Sequence, residues 1–337
     1  MDNIARGNGW IERGGAQFDE DYYKLRPSIA MSKDQLQPLS DGFGLHPALK
    51  NVYQWYQQKQ AGFVHACATG YRERSHFDGQ KVLENGTTDP FGPIGWMNRF
   101  LATQHSQQAI AIDSGMPLIV QGDVKVSSWF PHKLKAEEEQ SLLLAELFQN
   151  DETLSANFEE SMKLESMTSG GSQNKQFNNL MRQAGKFISS PQGPNIAVLE
   201  LGGWDTHSGQ GTTNGRLASQ LTKLDKGLDG LKQALGEKWQ STVVIAASEF
   251  GRTAAENGTK GTDHGTGNAM FIMGGALKVQ MSLPTGLDSL KVNDMKGVTC
   301  SPRPICAQCS KRCLANIWGL MNKPYSKCSL MHLNQRT

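Results

Sequence analysis

Ile196-Ala197-Val198-Leu199-Glu200-Leu201 runs without a break into Gly202-Gly203-Trp204-Asp205-Thr206-His207-Ser208. Six residues this apolar, ended by glycines, predict a buried strand that delivers a carboxylate and an imidazole to its carboxyl end. Some forty residues on, Val243-Val244-Ile245-Ala246-Ala247 leads in the same way into Ser248-Glu249-Phe250-Gly251-Arg252-Thr253. Between the two, residues 215–239 place Leu217, Leu221, Leu224, Leu228, Leu231 and Leu235 at helical spacing, which predicts an amphipathic helix covering one face of a sheet. Continuous apolar strands separated by such a helix predict an α/β fold with a mostly parallel central sheet and helices on both faces.

Ligands of open α/β sheets gather at the carboxyl ends of parallel strands, so the residues that follow these two strands are the candidate site. Asp205 and His207 are two apart in an extended segment and project to the same side, where one ion can take both. A carboxylate oxygen with an imidazole nitrogen suits zinc, manganese or iron better than calcium. The plain structural alternative is that Asp205 caps the following turn while His207 stays at the surface. Glu249 emerges from a buried strand, which is costly for a carboxylate that is neither paired nor metal-bound. Arg252 is either that partner or a planar fork directed at phosphate or sulfate oxygens. Asp263-His264 follows in a loop that holds Gly258, Gly261, Gly265 and Gly267, whose bare backbone allows close approach to an ion.

Another group stands upstream, at Tyr71-Arg72-Glu73-Arg74-Ser75-His76-Phe77-Asp78. Ser75 falls where a helix over 76–83 begins, so its hydroxyl either caps that helix or is presented as a nucleophile beside a metal. Arg72 and Arg74, with His76, offer positive charge and hydrogen bonds to an anionic substrate.

Outside these groups, the periodicity predicts strands at 63–68, 109–112, 118–120 and 270–273 and a helix at 95–102. Three helices at 135–148, 153–163 and 174–188 read as a helical insert over about 135–190, with linker composition at 168–172. No internal repeat is found.

The chain has 337 residues, 38% of them hydrophobic, enough for one large core and unlike a disordered or fibrous composition. It has no apolar run of the length that spans a bilayer, and no export signal is visible in residues 1–13. Its net charge of +2 is unevenly placed: residues 300–337 hold six Lys and Arg and no acid, leaving 28 basic and 32 acidic residues in the body. Five of the six cysteines share that segment. Cys306-x-x-Cys309-x-x-x-Cys313 is similar to part of a zinc knuckle, but no His stands at ligand spacing beside it. The basic segment alone would suggest nucleic-acid binding; the reading of the whole chain is that no nucleic acid is bound.

Asp21-Tyr22-Tyr23-Lys24-Leu25-Arg26-Pro27, Gly44-Leu45-His46-Pro47-Ala48-Leu49, Arg74-Ser75-His76-Phe77-Asp78, Gly203-Trp204-Asp205-Thr206-His207 and Ser248-Glu249-Phe250-Gly251-Arg252-Thr253 with Asp263-His264 occur in the order found in the DUF1501 family. The chain resembles that family, which is related to the alkaline phosphatase and sulfatase superfamily. The resemblance implies a core of that superfamily's type, divalent metal held by Asp205, His207, Glu249, Asp263 and His264, and catalytic roles for Ser75 as nucleophile and Arg252 as anion clamp. Arg72, Arg74 and His76 would bind substrate, a small phosphate or sulfate ester. The metal would be zinc, manganese, magnesium or calcium. Relatives are often exported, so the alternative is a non-catalytic metal- or anion-binding protein that works with an exported partner.

Three stretches depart from the family. One codon choice for residues 7–17, read one base later, gives Ala-Met-Asp-Gly-Leu-Ser-Ala-Val-Val-Pro-Asn, the family's opening turn and strand. The segment from Gly297 onward, in a shifted frame, gives the family's closing helix, and residues 278–286 conceal a further family segment. The expectation is therefore one DUF1501-like domain over 1–296, with 1–17 out of frame, and a Cys-rich tail at 297–337 that is out of frame and no domain. An enzyme so altered is expected to lose stability and activity.

Overall fold

The computed structural model describes residues 11–13, 20–40, 43–104, 108–131, 138–167, 176–277, 282–283 and 327–333. Its strands are Ile11–Arg13 (β1), Gln37–Pro38 (β2), Phe43–Leu45 (β3), Ala61–Cys67 (β4), Ala109–Ala111 (β5), Ser127–Ser128 (β6), Ile196–Leu201 (β7), Thr242–Ala247 (β8), Asn268–Met273 (β9), Ser282–Leu283 (β10) and Lys327–Leu333 (β11). The α-helices are Glu20–Leu25 (α1), Lys50–Gln57 (α2), His76–Asn85 (α3), Trp96–Ala102 (α4), Glu138–Phe148 (α5), Glu152–Met167 (α6), Phe177–Ser189 (α7) and Arg216–Leu235 (α8). Among the described residues, no helix is long and apolar enough to cross a membrane.

The architecture is mixed α/β. β1, β3 and β2 form a small antiparallel sheet, and the other eight strands form one sheet in the order β10-β4-β9-β8-β11-β7-β5-β6. β8, β11, β7, β5 and β6 pair parallel with their neighbours in that order, and β10 pairs parallel with β4. β9 departs from the expected parallel pairing and runs antiparallel to both β4 and β8. The reason lies in its connection: residues 248–267 hold no helix, and a parallel return needs a crossover that is usually helical. β11 also differs from expectation, since it lies between β7 and β8 although residues 297–337 read as a tail beyond the domain. Residues 118–120, expected as a strand, form a 3-10 turn after Pro117, with Ile119 and Val120 buried. β1 appears within residues 7–17, which show no strand alternation.

Side chains alternate across β7 and β8, and each face has its own core. On one face Ala197, Leu199, Leu201, Val244 and Ala246 pack with Met181, Phe187, Leu221, Leu224, Leu228 and Leu231 of α7 and α8. On the other, Ile196, Val198, Val243 and Ile245 meet Met97, Phe100 and Leu101 of α4 together with Ile119 and Val120. The leucine stripe of α8 is thus the inner face of that helix. Its Asp225, 4% exposed, reaches the first turn of α2 and accepts from the Asn51 N–H, the Asn51 side-chain amide and the Val52 N–H at 3.0, 2.8 and 3.1 Å. A carboxylate from α8 therefore caps α2, whose own preceding residue, Leu49, makes no side-chain cap. Burial raises the Asp225 pKa above the usual carboxylate value, against the lowering effect of these bonds.

Candidate metal centre

Three chain segments meet at the carboxyl ends of β7 and β8. After β7, Trp204 is 2% exposed and donates its indole N–H to the Leu201 carbonyl at 2.7 Å, which anchors the turn that presents Asp205. After β8, Glu249 is 1% exposed and Phe250 is buried. α3 opens with His76, and the glycine-rich loop returns His264 to Arg252 through an antiparallel bridge. Close approach needs the glycines here: a Cβ on Gly261 would lie 2.3 Å from the His207 carbonyl carbon and oxygen.

His76 Nε2 and His207 Nε2 each lie 3.0 Å from His264 Nε2. Asp205 Oδ1 is 2.9 Å from His207 Nε2 and 3.4 Å from His264 Nε2, and its Oδ2 is 3.7 Å from His76 Nε2. The other ring edges face oxygen. His76 Nδ1 meets Glu249 Oε1 at 2.8 Å, His207 Nδ1 meets Asp263 Oδ1 at 2.9 Å, and His264 Nδ1 meets the Arg74 carbonyl at 3.1 Å. An ionised carboxylate or a backbone carbonyl only accepts, so each Nδ1 carries a proton. In the neutral rings the Nε2 lone pairs are then left to converge on one another and on Asp205, the orientation that second partners impose on metal-binding histidines.

Donor atoms of His76, Asp205 and His264 all lie within 4.8 Å of one another. Tetrahedral ligands at zinc distances are about 3.3 Å apart, which these contacts bracket. The group therefore fits a divalent ion, and His207 adjoins it as a further donor. Phe250 walls it, its ring centroid 4.7 Å from that of His76 and 5.2 Å from that of His264.

The electrostatics are those of a tight mixed-charge cluster. Burial works to lower the His76 pKa, but the nearby Asp205 carboxylate and the Glu249 carboxylate hydrogen-bonded to its Nδ1 push it up to about 9. For Asp205, burial works upward, and the adjoining His264 and His76 rings with the Arg252 charge hold its carboxyl far below the usual range. Burial lowers the Arg252 pKa from its usual value. The Asn257 amide, against a small burial effect, joins His207 in lowering the Asp263 pKa.

The structure thus brings together Asp205, His207, Glu249, Asp263 and His264, with Glu249 and Asp263 touching the Nδ1 edges of histidines. His76, read from the sequence as substrate-binding, lies in the donor group itself. Arg252 Nη1 is bonded to Asp205 Oδ1 and its Nη2 to the Thr262 carbonyl, so its fork is turned to protein groups. Arg72 donates to the Thr69 and Tyr71 carbonyls of its own loop at 2.6 and 2.7 Å. Arg74 enters through its backbone: φ of 57° sends its carbonyl to His264. Ser75 precedes α3 in extended conformation, and its hydroxyl makes no capping hydrogen bond. Residues the sequence reading passed over also hold the site. Asn257 Nδ2 bonds the His207 carbonyl and Asp263 Oδ1, both at 2.9 Å, and no pattern in the sequence marks it.

Neither the curated proteins nor the solved structures contain a match to this chain. The profile described as "Protein of unknown function (DUF1501)" matches residues 34–284, well over half of the chain and every residue of the candidate centre. The chain belongs to the DUF1501 family.

Proposed function

We propose that this protein is a metal-dependent hydrolase of phosphate or sulfate esters, built on a core related to the alkaline phosphatase and sulfatase superfamily. One observation carries the reading: three Nε2 atoms and the Asp205 carboxylate, on segments far apart in the chain, meet with their tautomers fixed from behind. His76, Asp205 and His264 would hold the ion, with His207 as the fourth donor, and an imidazole-rich set of this kind favours zinc or manganese over magnesium or calcium. A bound divalent ion would polarise an ester oxygen and lower the pKa of the attacking group.

Ser75, with its hydroxyl uncommitted to capping and its neighbour His76 in the donor set, is the residue to present a nucleophile. Glu249 and Asp263 orient His76 and His207. Arg252 holds Asp205 in place and balances its charge within the buried cluster. The second reading, a non-catalytic metal-binding protein with an exported partner, is favoured by the commitment of Arg72 and Arg252 to protein oxygens. The two part in a hydrolysis screen on aryl phosphate and aryl sulfate with added zinc or manganese. Turnover above that of the Asp205→Ala, His264→Ala double variant supports the hydrolase. Metal uptake without any such turnover leaves the binding protein.

A further inference from the structure

Behind the donor atoms, a buried amide joins the two loops that carry them. Gln210 Oε1 accepts from the Thr206 hydroxyl and from the Thr262 hydroxyl, each at 2.9 Å. The three residues are 2%, 3% and 0% exposed, so these bonds are shielded from competing water. Thr206 separates Asp205 from His207, and Thr262 directly precedes Asp263-His264. The chain of bonds continues into the cluster. Arg252 can only donate, so Thr262 Oγ1 accepts from its Nε at 3.2 Å and uses its single proton on Gln210. Arg252 then reaches Asp205. Backbone bonds run alongside, from Gln210 N to the Lys260 carbonyl at 2.9 Å and from Thr262 N to the Thr206 carbonyl at 3.2 Å.

We propose that Gln210 is a positioning residue that sets the spacing between the Asp205-His207 and Asp263-His264 halves of the centre, and so tunes its affinity for a divalent cation. The inference rests on the metal-binding reading above, and its chemistry is that of one carbonyl oxygen serving two hydroxyl donors. Length alone does not suffice at this position; an acceptor is required.

Zinc titrated into the full-length, metal-stripped chain against a chromophoric chelator, together with hydrogen exchange of amides 205–210 and 259–264, tests it. Gln210→Met keeps the length and removes the acceptor; it is expected to weaken zinc binding about tenfold or more and to speed exchange in both loops. Gln210→Glu, which keeps an acceptor oxygen, restores both readouts toward wild type. Thr206→Val removes one of the two bonds, shifts both readouts less in the same direction, and carries the test if Gln210→Met does not fold. Wild-type affinity and exchange in Gln210→Met or in Thr206→Val, or a Gln210→Glu chain as weak as Gln210→Met, overturns the proposal. A wild-type chain that takes up no zinc removes the metal reading; the positioning role is then decided by the exchange rates alone.

Discussion

The buried Glu249 carboxylate holds the Nδ1 edge of His76 at 2.8 Å, and the same carboxylate takes a 2.9 Å hydrogen bond from the Ser248 hydroxyl on its other oxygen. Glu249 therefore has both oxygens occupied and acts on the centre through the ring it orients. Its replacement by Gln keeps a hydrogen-bonding group but loses the charge that makes His76 a stronger donor. Glu249→Gln is expected to lower metal affinity about 10- to 100-fold at unchanged stoichiometry, as read by competition with a chelator. Unchanged affinity would show that Glu249 does not serve the ring.

Proton and metal compete for His76. In the metal-free chain its pKa is pushed up to about 9, above its ordinary value of 6.5. The folded state therefore binds this proton more tightly than the unfolded state, and the resulting stability is fully present below pH 6.5 and lost as pH rises through about 9. Metal binding needs the deprotonated ring, so affinity rises over the same window. The thermal midpoint in chelator is expected to fall between pH 6.5 and 9 while the increment given by added zinc grows. Parallel curves with and without zinc would contradict it.

Gly261 gives a steric test with a built-in control. A Cβ there would strike the His207 backbone at 2.3 Å, whereas one on Gly258 meets nothing within 4 Å. Gly261→Ala is expected to separate the two loops and abolish tight metal binding, and Gly258→Ala to leave it intact. Equal affinities in the two variants would show that the loops adjust.

Asp225 tests the fold apart from the site. Removing the carboxylate leaves donors at the start of α2 without their acceptor, a loss of about 1–3 kcal/mol. Asp225→Ala should lower stability in urea unfolding by that amount and leave the number of ions bound unchanged. A loss of metal stoichiometry in the folded variant would tie α2 to the centre.

The two strand-to-turn passages were legible because the chemistry changes there within a single residue, from Leu201 to Gly202 and from Ala247 to Ser248. The α8 stripe was legible because six leucines keep helical spacing over a long helix. Strand direction was not: an apolar run such as that in β9 is the same whether its neighbour runs up or down, and only the helix-free connection decides. The donor role of His76 was hidden because its partners lie far along the chain, and Arg74 acts through a carbonyl, which no side chain announces. Gln210 and Asn257 were illegible for a related reason, since an amide shows its use only when both loops it joins are in place. For β11, a basic, cysteine-rich setting outweighed the short apolar stretch that pairs with β7 and β8.

Everything proposed about chemistry depends on a divalent ion at His76, Asp205 and His264. The direct measurement is equilibrium titration of zinc and of manganese into the metal-stripped full-length chain, wild type beside His264→Ala, with circular dichroism to show that both are folded. Saturable uptake by wild type, at least one ion per chain, together with its loss in folded His264→Ala is the predicted result. Equal uptake by the two chains, or none by wild type, would contradict the account.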